Sequence, residues 1–214
     1  MNTIVLNGSP KKNMKESNSE LFAKYFIGGM KAPCELKHIS QSSPVKLAEH
    51  IRSFDTVIII FPLYIHAMPG SVMRFFEELR PVEGEGKSLG FIIQAGFSES
   101  AQERFVLPYL EQMAKDLGYN YLGTVVKGEA AAVAMYPEGF AKVLKQVEDL
   151  GRKFAETHAF DPEIVKQLGK PYTLSGSQLF FLNIACKLGI TNFFWHKTMK
   201  QHNAYEKRLD RPYL

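Results

Sequence analysis

Short apolar runs alternate with stretches of helical periodicity along the first 157 residues of the chain. The apolar runs predict five strands, which begin near residues 3, 35, 55, 87 and 121. Apolar residues that recur every three or four positions predict helices after Ser17–Ser19, after Pro69, and over residues 45–54, 101–117 and 137–156. Strands and helices that alternate at these lengths predict a parallel sheet with right-handed crossovers.

The last 57 residues follow a different pattern. Ser175 to Leu188 is apolar on almost every side, which predicts a helix that is buried all round. Three aromatic residues in a row, 193–195, come soon after it. We therefore predict one domain over residues 1–157 and a helical C-terminal extension over residues 158–214. The extension is expected to pack on the domain or at a subunit interface.

Composition limits the classes of protein that are possible. With 214 residues and 45% hydrophobic content, the chain can build one substantial core. Its longest apolar runs, near residues 57–65 and 179–186, are too short to cross a bilayer, and we expect no signal peptide before the first strand. The two cysteines, Cys34 and Cys186, suit a reducing cytoplasm and are expected to be buried. The six histidines show no metal-ligand spacing, so we predict a cytoplasmic protein without a bound metal.

The first predicted strand ends in a loop rich in hydrogen-bond donors. Asn7-Gly-Ser-Pro-Lys11 leads to a helix N-cap signal at Ser17, Asn18 and Ser19. Amides, hydroxyls and the helix dipole together make an anion site, and no acidic residue precedes Glu16. The glycine spacing excludes both a nucleoside-triphosphate loop and a dinucleotide fingerprint. A terminal monophosphate remains, with an ordinary turn rich in Ser and Lys as the alternative.

This loop resembles the phosphate-binding loop of the flavodoxin-like NAD(P)H-dependent FMN reductase and quinone reductase family. Members of that family commonly read Gly-Ser-Pro-Arg, with an Asn-Thr or Asn-Ser pair several residues later. The resemblance covers about residues 3 to 157 and implies a doubly wound α/β fold with five parallel strands in the order 2-1-3-4-5. It also implies that FMN is bound through its phosphate by Ser9, Pro10, Lys11, Ser17, Asn18 and Ser19. The chain lacks the compact cysteine motif of the family's iron–sulfur branch.

A second segment strengthens the resemblance. The third strand ends in Pro62-Leu-Tyr-Ile65, and Pro69 suits the first turn of the next helix. In the family, a Pro-x-Tyr loop at this position lies along one edge of the flavin ring. The resemblance therefore implies that the ring is bordered by Pro62, Leu63, Tyr64 and Ile65. Taken alone, Tyr64 and Met68 read as ordinary packing residues.

The loop after the fourth strand is the third expected contact. In open parallel sheets, ligands collect beyond the carboxyl ends of the strands, near the point where the strand order reverses. Gly96 would let the backbone approach a flat ring, and Phe97 would cover it. Gln94, at the end of the strand, is expected to be buried with a backbone partner.

The predicted function is an FMN-dependent oxidoreductase that passes hydride from NADPH or NADH through bound FMN to a small acceptor such as a quinone or another flavin. The flavin carries the chemistry, so no catalytic acid or base is expected among the side chains. The resemblance also suggests a homodimer. We expect a small-molecule acceptor as the partner, no nucleic acid and no integral membrane segment.

Two other functions stay open, a non-enzymatic electron carrier of the flavodoxin type and a cofactor-free interaction protein. Residues 1–160 contain eighteen basic and eighteen acidic residues, whereas flavodoxin carriers are typically strongly acidic. The whole net charge of +4 lies in residues 161–214. That basic excess would attract NADPH or an anionic substrate, or it marks a solvated helix face.

Overall fold

A parallel five-stranded sheet forms the centre of the protein. The computed structural model describes residues 2–14, 17–82, 86–97, 105–170 and 175–211. The strands are β1 Thr3–Asn7, β2 Cys34–His38, β3 Thr56–Pro62, β4 Ser88–Gln94 and β5 Asn120–Lys127. Their order in the sheet is β2-β1-β3-β4-β5, so the predicted flavodoxin-like order is confirmed.

Helices cover both faces of this sheet, and the central strands are apolar because they are buried on both sides. Along β1, Ile4 and Leu6 point to one core layer and Val5 to the other, which is the period-two alternation of a strand. The helices are α1 Asn18–Met30, α2 Pro44–Ile51, α3 Gly70–Glu77, α4 Val106–Asp116, α5 Ala141–Thr157 and α6 Pro162–Leu168. The first layer contains residues of α2, α3 and α4, and the second contains residues of α1, α5 and α6.

Most predicted elements occur where the sequence places them, with shifts at their ends. Residues 101–104 of the predicted fourth helix lie outside the described residues, and α4 begins at Val106. The predicted fifth helix starts with a 3-10 turn at Pro137–Phe140 before α5. Beyond α5, Asp161 caps α6 by accepting bonds from the amides of Glu163 and Ile164, both at 3.0 Å.

The chain divides into two compact units, Met1–Tyr172 and Thr173–Leu214. The predicted extension is therefore shared between them, since α6 belongs to the first unit and Leu168 packs in its core. The second unit contains α7 Gly176–Lys187 and α8 Phe193–Gln201. Among the helices of the described ranges, none has the length and apolarity needed to cross a bilayer.

The prediction that α7 is buried is not met within the single chain, and burial at a subunit interface stays a prediction. None of its residues is buried, and the side chains of Phe180 and Phe181 are 62% and 67% exposed. The physical reason is size, because a unit of about forty residues with two short helices cannot enclose an apolar helix on every side. Cys186, on the same helix, is also exposed rather than buried, and Cys34 is only half-buried. Burial still raises the pKa of the Cys34 thiol to about 11.

Candidate functional site

A groove of about 430 Å³ opens at the carboxyl ends of the central strands. Its volume lies within the usual range of small-molecule sites. Parallel strands end at the same edge of a sheet, and here the loops after β1, β3, β4 and β5 meet. The lining residues are Lys11, Asn18, Pro62, Leu63, Tyr64, Ile65, Gln94, Ala95, Gly96, Phe97, Ala130 and Ala131. Eight of them were predicted from the sequence.

The loop after β1 is held in place by hydrogen bonds that its backbone amides donate. The Gly8 amide donates to the carbonyl of Ile60 at 2.8 Å, and the Ser9 amide donates to Asn7 Oδ1 at 2.8 Å. The Lys11 amide donates to Ser9 Oγ at 3.3 Å. Ser9 is consequently buried and does not line the groove, whereas Pro10 is exposed and Lys11 is both exposed and part of the lining.

The three polar residues at the start of α1 all make contacts within the protein. Ser17 caps the helix by accepting a bond from the Glu20 amide at 3.2 Å. Asn18 donates to the carbonyl of Ala130 at 2.6 Å and accepts from the Ala134 amide at 2.8 Å. Ser19 Oγ accepts from the side-chain amide of Gln94. Ser17 and Ser19 are buried beside the groove, and each hydroxyl keeps a proton to donate.

Gln94 and the loop after β5 were missed as site residues. Gln94 is 2% exposed, its carbonyl accepts from the Leu63 amide at 2.7 Å, and its side-chain Oε1 has no partner among the described residues. The Ala130 amide donates to the carbonyl of Ala95 at 2.8 Å, which brings residues 130 and 131 to the groove. Small apolar residues carry no chemical signal, so no motif marks this loop.

A tight turn shapes the mouth of the groove. Tyr64 and Ala67 exchange two backbone hydrogen bonds of 2.9 and 3.1 Å, and Ile65 and His66 between them have φ values of 50° and 60°. Turns of this kind favour Asn and Gly, so a β-branched residue at the first position stores strain. The His66 ring lies nearly parallel to that of Phe97, with 6.4 Å between centroids. The Tyr64–Ala67 turn and the loop after β4 therefore meet at this ring pair.

A buried polar cluster supports the loop from beneath. Glu20 Oε2 accepts from Asn7 Nδ2 at 2.9 Å and contacts His38 Nε2 at 2.7 Å, and its other oxygen lies 3.3 Å from Lys24 Nζ. Burial by itself would raise the pKa of Glu20, but the hydrogen bonds from His38 and Asn7 outweigh it and hold the pKa below its usual value. Glu16 lies outside the described residues.

The only sequence signal for this cluster is the Ser17-x-x-Glu20 spacing of a capping box. Ser17 does accept from the Glu20 amide, as in such a box. The Glu20 side chain, however, turns to Asn7 and His38, which lie at the carboxyl ends of the neighbouring strands β1 and β2. It thereby links two strands to the first turn of α1.

A family model described as a flavodoxin-like fold matches residues 1–150. The chain belongs to this family. The match spans the five-stranded sheet and most of α5, and it ends before the second unit. Among proteins with curated functions, none matches the chain.

Solved structures with this flavodoxin-like fold resemble the chain at low identity. An NADPH-quinone reductase from P. pentosaceus is 16% identical, with a TM-score of 0.54, and the match covers 69% of this chain and 96% of that one. An FMN-dependent NADH-azoreductase from Bacillus anthracis, solved with FMN, is 17% identical, with a TM-score of 0.54 and coverage of 72% and 100%. An NAD(P)H:quinone oxidoreductase from Methanothermobacter marburgensis is 14% identical, with a TM-score of 0.55 and coverage of 72% and 96%.

The flavodoxin-like sheet of this chain thus presents one open groove with two kinds of lining. One kind is polar, from Lys11 of the loop after β1 and Asn18 at the start of α1, where the helix dipole favours an anion. The other comes from Tyr64, Gly96 and Phe97, which offer flat and apolar surface. Such a lining suits a ligand with an anionic group and a planar group.

Proposed function

We propose that the protein is an FMN-dependent oxidoreductase that passes hydride from NADPH or NADH to a small acceptor such as a quinone or another flavin. The observation that carries the proposal is the groove itself, in which a donor-rich loop and a flat aromatic wall face one space at the carboxyl edge of the sheet. Bound FMN would supply the centre that accepts and releases hydride.

The residues of the loop after β1 and of the first turn of α1 fit a monophosphate. Gly8 lets this loop pack closely on α3, because a Cβ at this position would lie 2.6 Å from Val72 Cγ2. We assign the phosphate to Ser9, Pro10 and Lys11 of the loop and to Ser17, Asn18 and Ser19 of α1. Asn18 acts through its backbone amide, since its carboxamide is bound to residues 130 and 134. The hydroxyl protons, the Lys11 ammonium and the helix dipole all favour an anion.

The residues of the loops after β3 and β4 fit a planar ring with polar edges. Pro62, Leu63, Tyr64 and Ile65 would border one edge, and Gly96 and Phe97 would form a second wall. A Cβ at Gly96 would meet only Ala131, at 3.6 Å, so the backbone there is open to a close approach. Gln94 lines the groove, and its buried Oε1 has no partner among the described residues, so it has acceptor capacity for a ligand hydroxyl or N–H that comes within reach.

The similar solved structures support this choice of chemistry. Their names include an NADPH-quinone reductase and an FMN-dependent NADH-azoreductase, and the second was solved with FMN. By analogy, we propose NAD(P)H as the donor. We also propose a homodimer, which the family resemblance suggests, and a cytoplasmic location, which the two cysteines suggest. The balanced charge of residues 1–160 disfavours the alternative of an acidic electron carrier.

The test is reconstitution with FMN followed by anaerobic addition of NADH or NADPH. The expected result is a yellow protein whose flavin absorbance is bleached by at least one nicotinamide and restored by a quinone. Ser9→Ala should raise the FMN dissociation constant about tenfold or more, because one charge-assisted hydrogen bond is worth about 1.5–3 kcal/mol. Ser53→Ala, at an exposed serine remote in sequence from the loop, is the matched control and should leave it unchanged.

Each other outcome points to a different function. A protein that binds FMN, but whose flavin absorbance is not bleached by either nicotinamide, would be an electron carrier. A folded chain that stays colourless after reconstitution would be a cofactor-free protein and would overturn the proposal. Equal FMN affinity in Ser9→Ala and the parent would refute the phosphate assignment alone.

A further inference from the structure

The second unit carries a concentration of exposed apolar side chains. Their exposed fractions run from 41% at Ile184 to 73% at Phe193. On α7 they lie on all sides of the helix rather than along one stripe. Exposed apolar surface of this extent marks an interaction site in a folded protein. We call it the apolar surface, and it consists of Leu179, Phe180, Phe181, Leu182, Ile184, Leu188, Ile190, Phe193 and Trp195.

The same unit carries the net positive charge of the chain. Residues 173–214 contain six Lys and Arg residues and two acids, whereas residues 1–172 contain twenty of each. Two of these cations are held against an aromatic ring, with Lys200 Nζ 4.9 Å and Arg208 Cζ 4.1 Å from the centroid of Tyr205. Apolar and basic side chains therefore occur together on one small unit.

We propose that the second unit docks on an anionic lipid bilayer. A bilayer offers an apolar layer beneath negatively charged headgroups, and the unit presents apolar and basic side chains to match both. The twelve residues of α7 extend about 18 Å, which is too short to cross the hydrocarbon core, so the unit would bind one face of the bilayer without spanning it. A second copy of this unit is the less suitable occupant of the apolar surface, because it would bring a charge of +4 against +4. The homodimer proposed above would then use another surface of the chain. The proposal is independent of the FMN assignment.

Trp195 gives a direct readout, since it is the only tryptophan in the chain and its side chain is 60% exposed. The full-length protein is mixed with vesicles of phosphatidylcholine alone, or of equal parts phosphatidylcholine and phosphatidylglycerol. The expected result is a blue shift of Trp195 fluorescence and co-sedimentation with the anionic vesicles only. Both effects should weaken at high salt, which screens charge at a surface.

Two pairs of variants separate the apolar and the electrostatic parts. Phe180→Ser with Phe181→Ser should abolish vesicle binding, whereas Phe105→Ser, at a residue 70% exposed in the first unit, should not. Lys187→Gln with Lys197→Gln should lower vesicle affinity about 30-fold, since each cation near an anionic surface contributes about fivefold. Lys142→Gln in the first unit is the control for charge.

Three results would overturn the proposal. The first is an unchanged Trp195 spectrum with anionic vesicles. The second is equal binding to neutral and anionic vesicles, which would leave the basic residues without a role. The third is a dimer, measured by light scattering, that Phe180→Ser with Phe181→Ser dissociates while no vesicles are bound. That last outcome would assign the apolar surface to a second copy of the chain.

Discussion

Gly8 lets the loop after β1 pass directly over α3, and Gly8→Ala tests whether this close approach positions the loop. An added Cβ would lie 2.6 Å from Val72 Cγ2 and 2.8 Å from Phe61 Cβ. These distances are about 1 Å shorter than an ordinary contact between carbon atoms. Both neighbours are fully buried, and Phe61 Cβ is attached to the backbone of β3, so the loop must move instead. Overpacking of this kind lowers the free energy of unfolding by about 1–3 kcal/mol.

The displaced loop should also bind FMN less tightly if the proposed function is right. Moving residue 8 disturbs the 2.8 Å bond from its amide to Ile60 and the 2.8 Å bond from the Ser9 amide to Asn7. The loss of one charge-assisted bond to the phosphate, about 1.5–3 kcal/mol, raises the FMN dissociation constant by roughly 10- to 150-fold.

Urea unfolding followed by circular dichroism measures the first effect, and calorimetric titration with FMN measures the second. Gly28→Ala is the matched control, because Gly28 lies in α1 with no atom within 4 Å of an added Cβ. This control should raise the free energy of unfolding by about 0.5–1 kcal/mol and leave FMN affinity unchanged. A Gly8→Ala protein with the urea midpoint and FMN affinity of the parent would refute the argument that the close packing of Gly8 on Val72 and Phe61 positions the loop.

Two further predictions concern buried charges. The pKa of Glu20 is held below its ordinary value of 4.5, so its stabilising effect is present above that pH and is lost as the pH falls through the folded-state pKa. Glu20→Gln should therefore lower the free energy of unfolding at pH 7 by about 1.5–3 kcal/mol, and a deficit that persists unchanged in acid would contradict this. Burial lowers the pKa of Lys127 in the folded protein below the ordinary lysine value of 10.5. The protonated amine therefore destabilises the fold at neutral pH, and this penalty is relieved as the pH rises through the folded-state pKa. Lys127→Met should stabilise the protein by about 1 kcal/mol at neutral pH, and this gain should shrink at alkaline pH. Urea unfolding midpoints measured over a range of pH test both the Glu20 and the Lys127 variants.

Much of the fold follows from local pattern. The period-two and period-3.6 runs gave the five strands and their helices, because burial on one or two faces of an element imposes that spacing directly on the sequence. The strand order came from the family resemblance rather than from periodicity, which carries no information about neighbours. Elements ended within a few residues of the prediction, as at β3, where the run 55–61 became Thr56–Pro62.

The candidate site was predictable only in part. Asn7-Gly-Ser-Pro-Lys11 and Pro62–Ile65 are short motifs with their own loop chemistry. The groove is lined by Lys11 of the first motif and by all four residues of the second. Nothing local marks Gln94 as the partner of Ser19, or residues 130–134 as the partner of Asn18. Small alanines and a lone glutamine are common in any chain, so only their position in the fold distinguishes them.

Local patterning was enough to predict the alternation of strands and helices, the donor-rich loop and the segregation of positive charge to the C-terminal part of the chain. Only the folded chain shows that Glu20 pairs with His38 and that α7 leaves its apolar side chains exposed. The reason is that periodicity and loop chemistry act over a few residues, whereas partners across dozens of residues depend on strand register and on how much surface a unit can enclose.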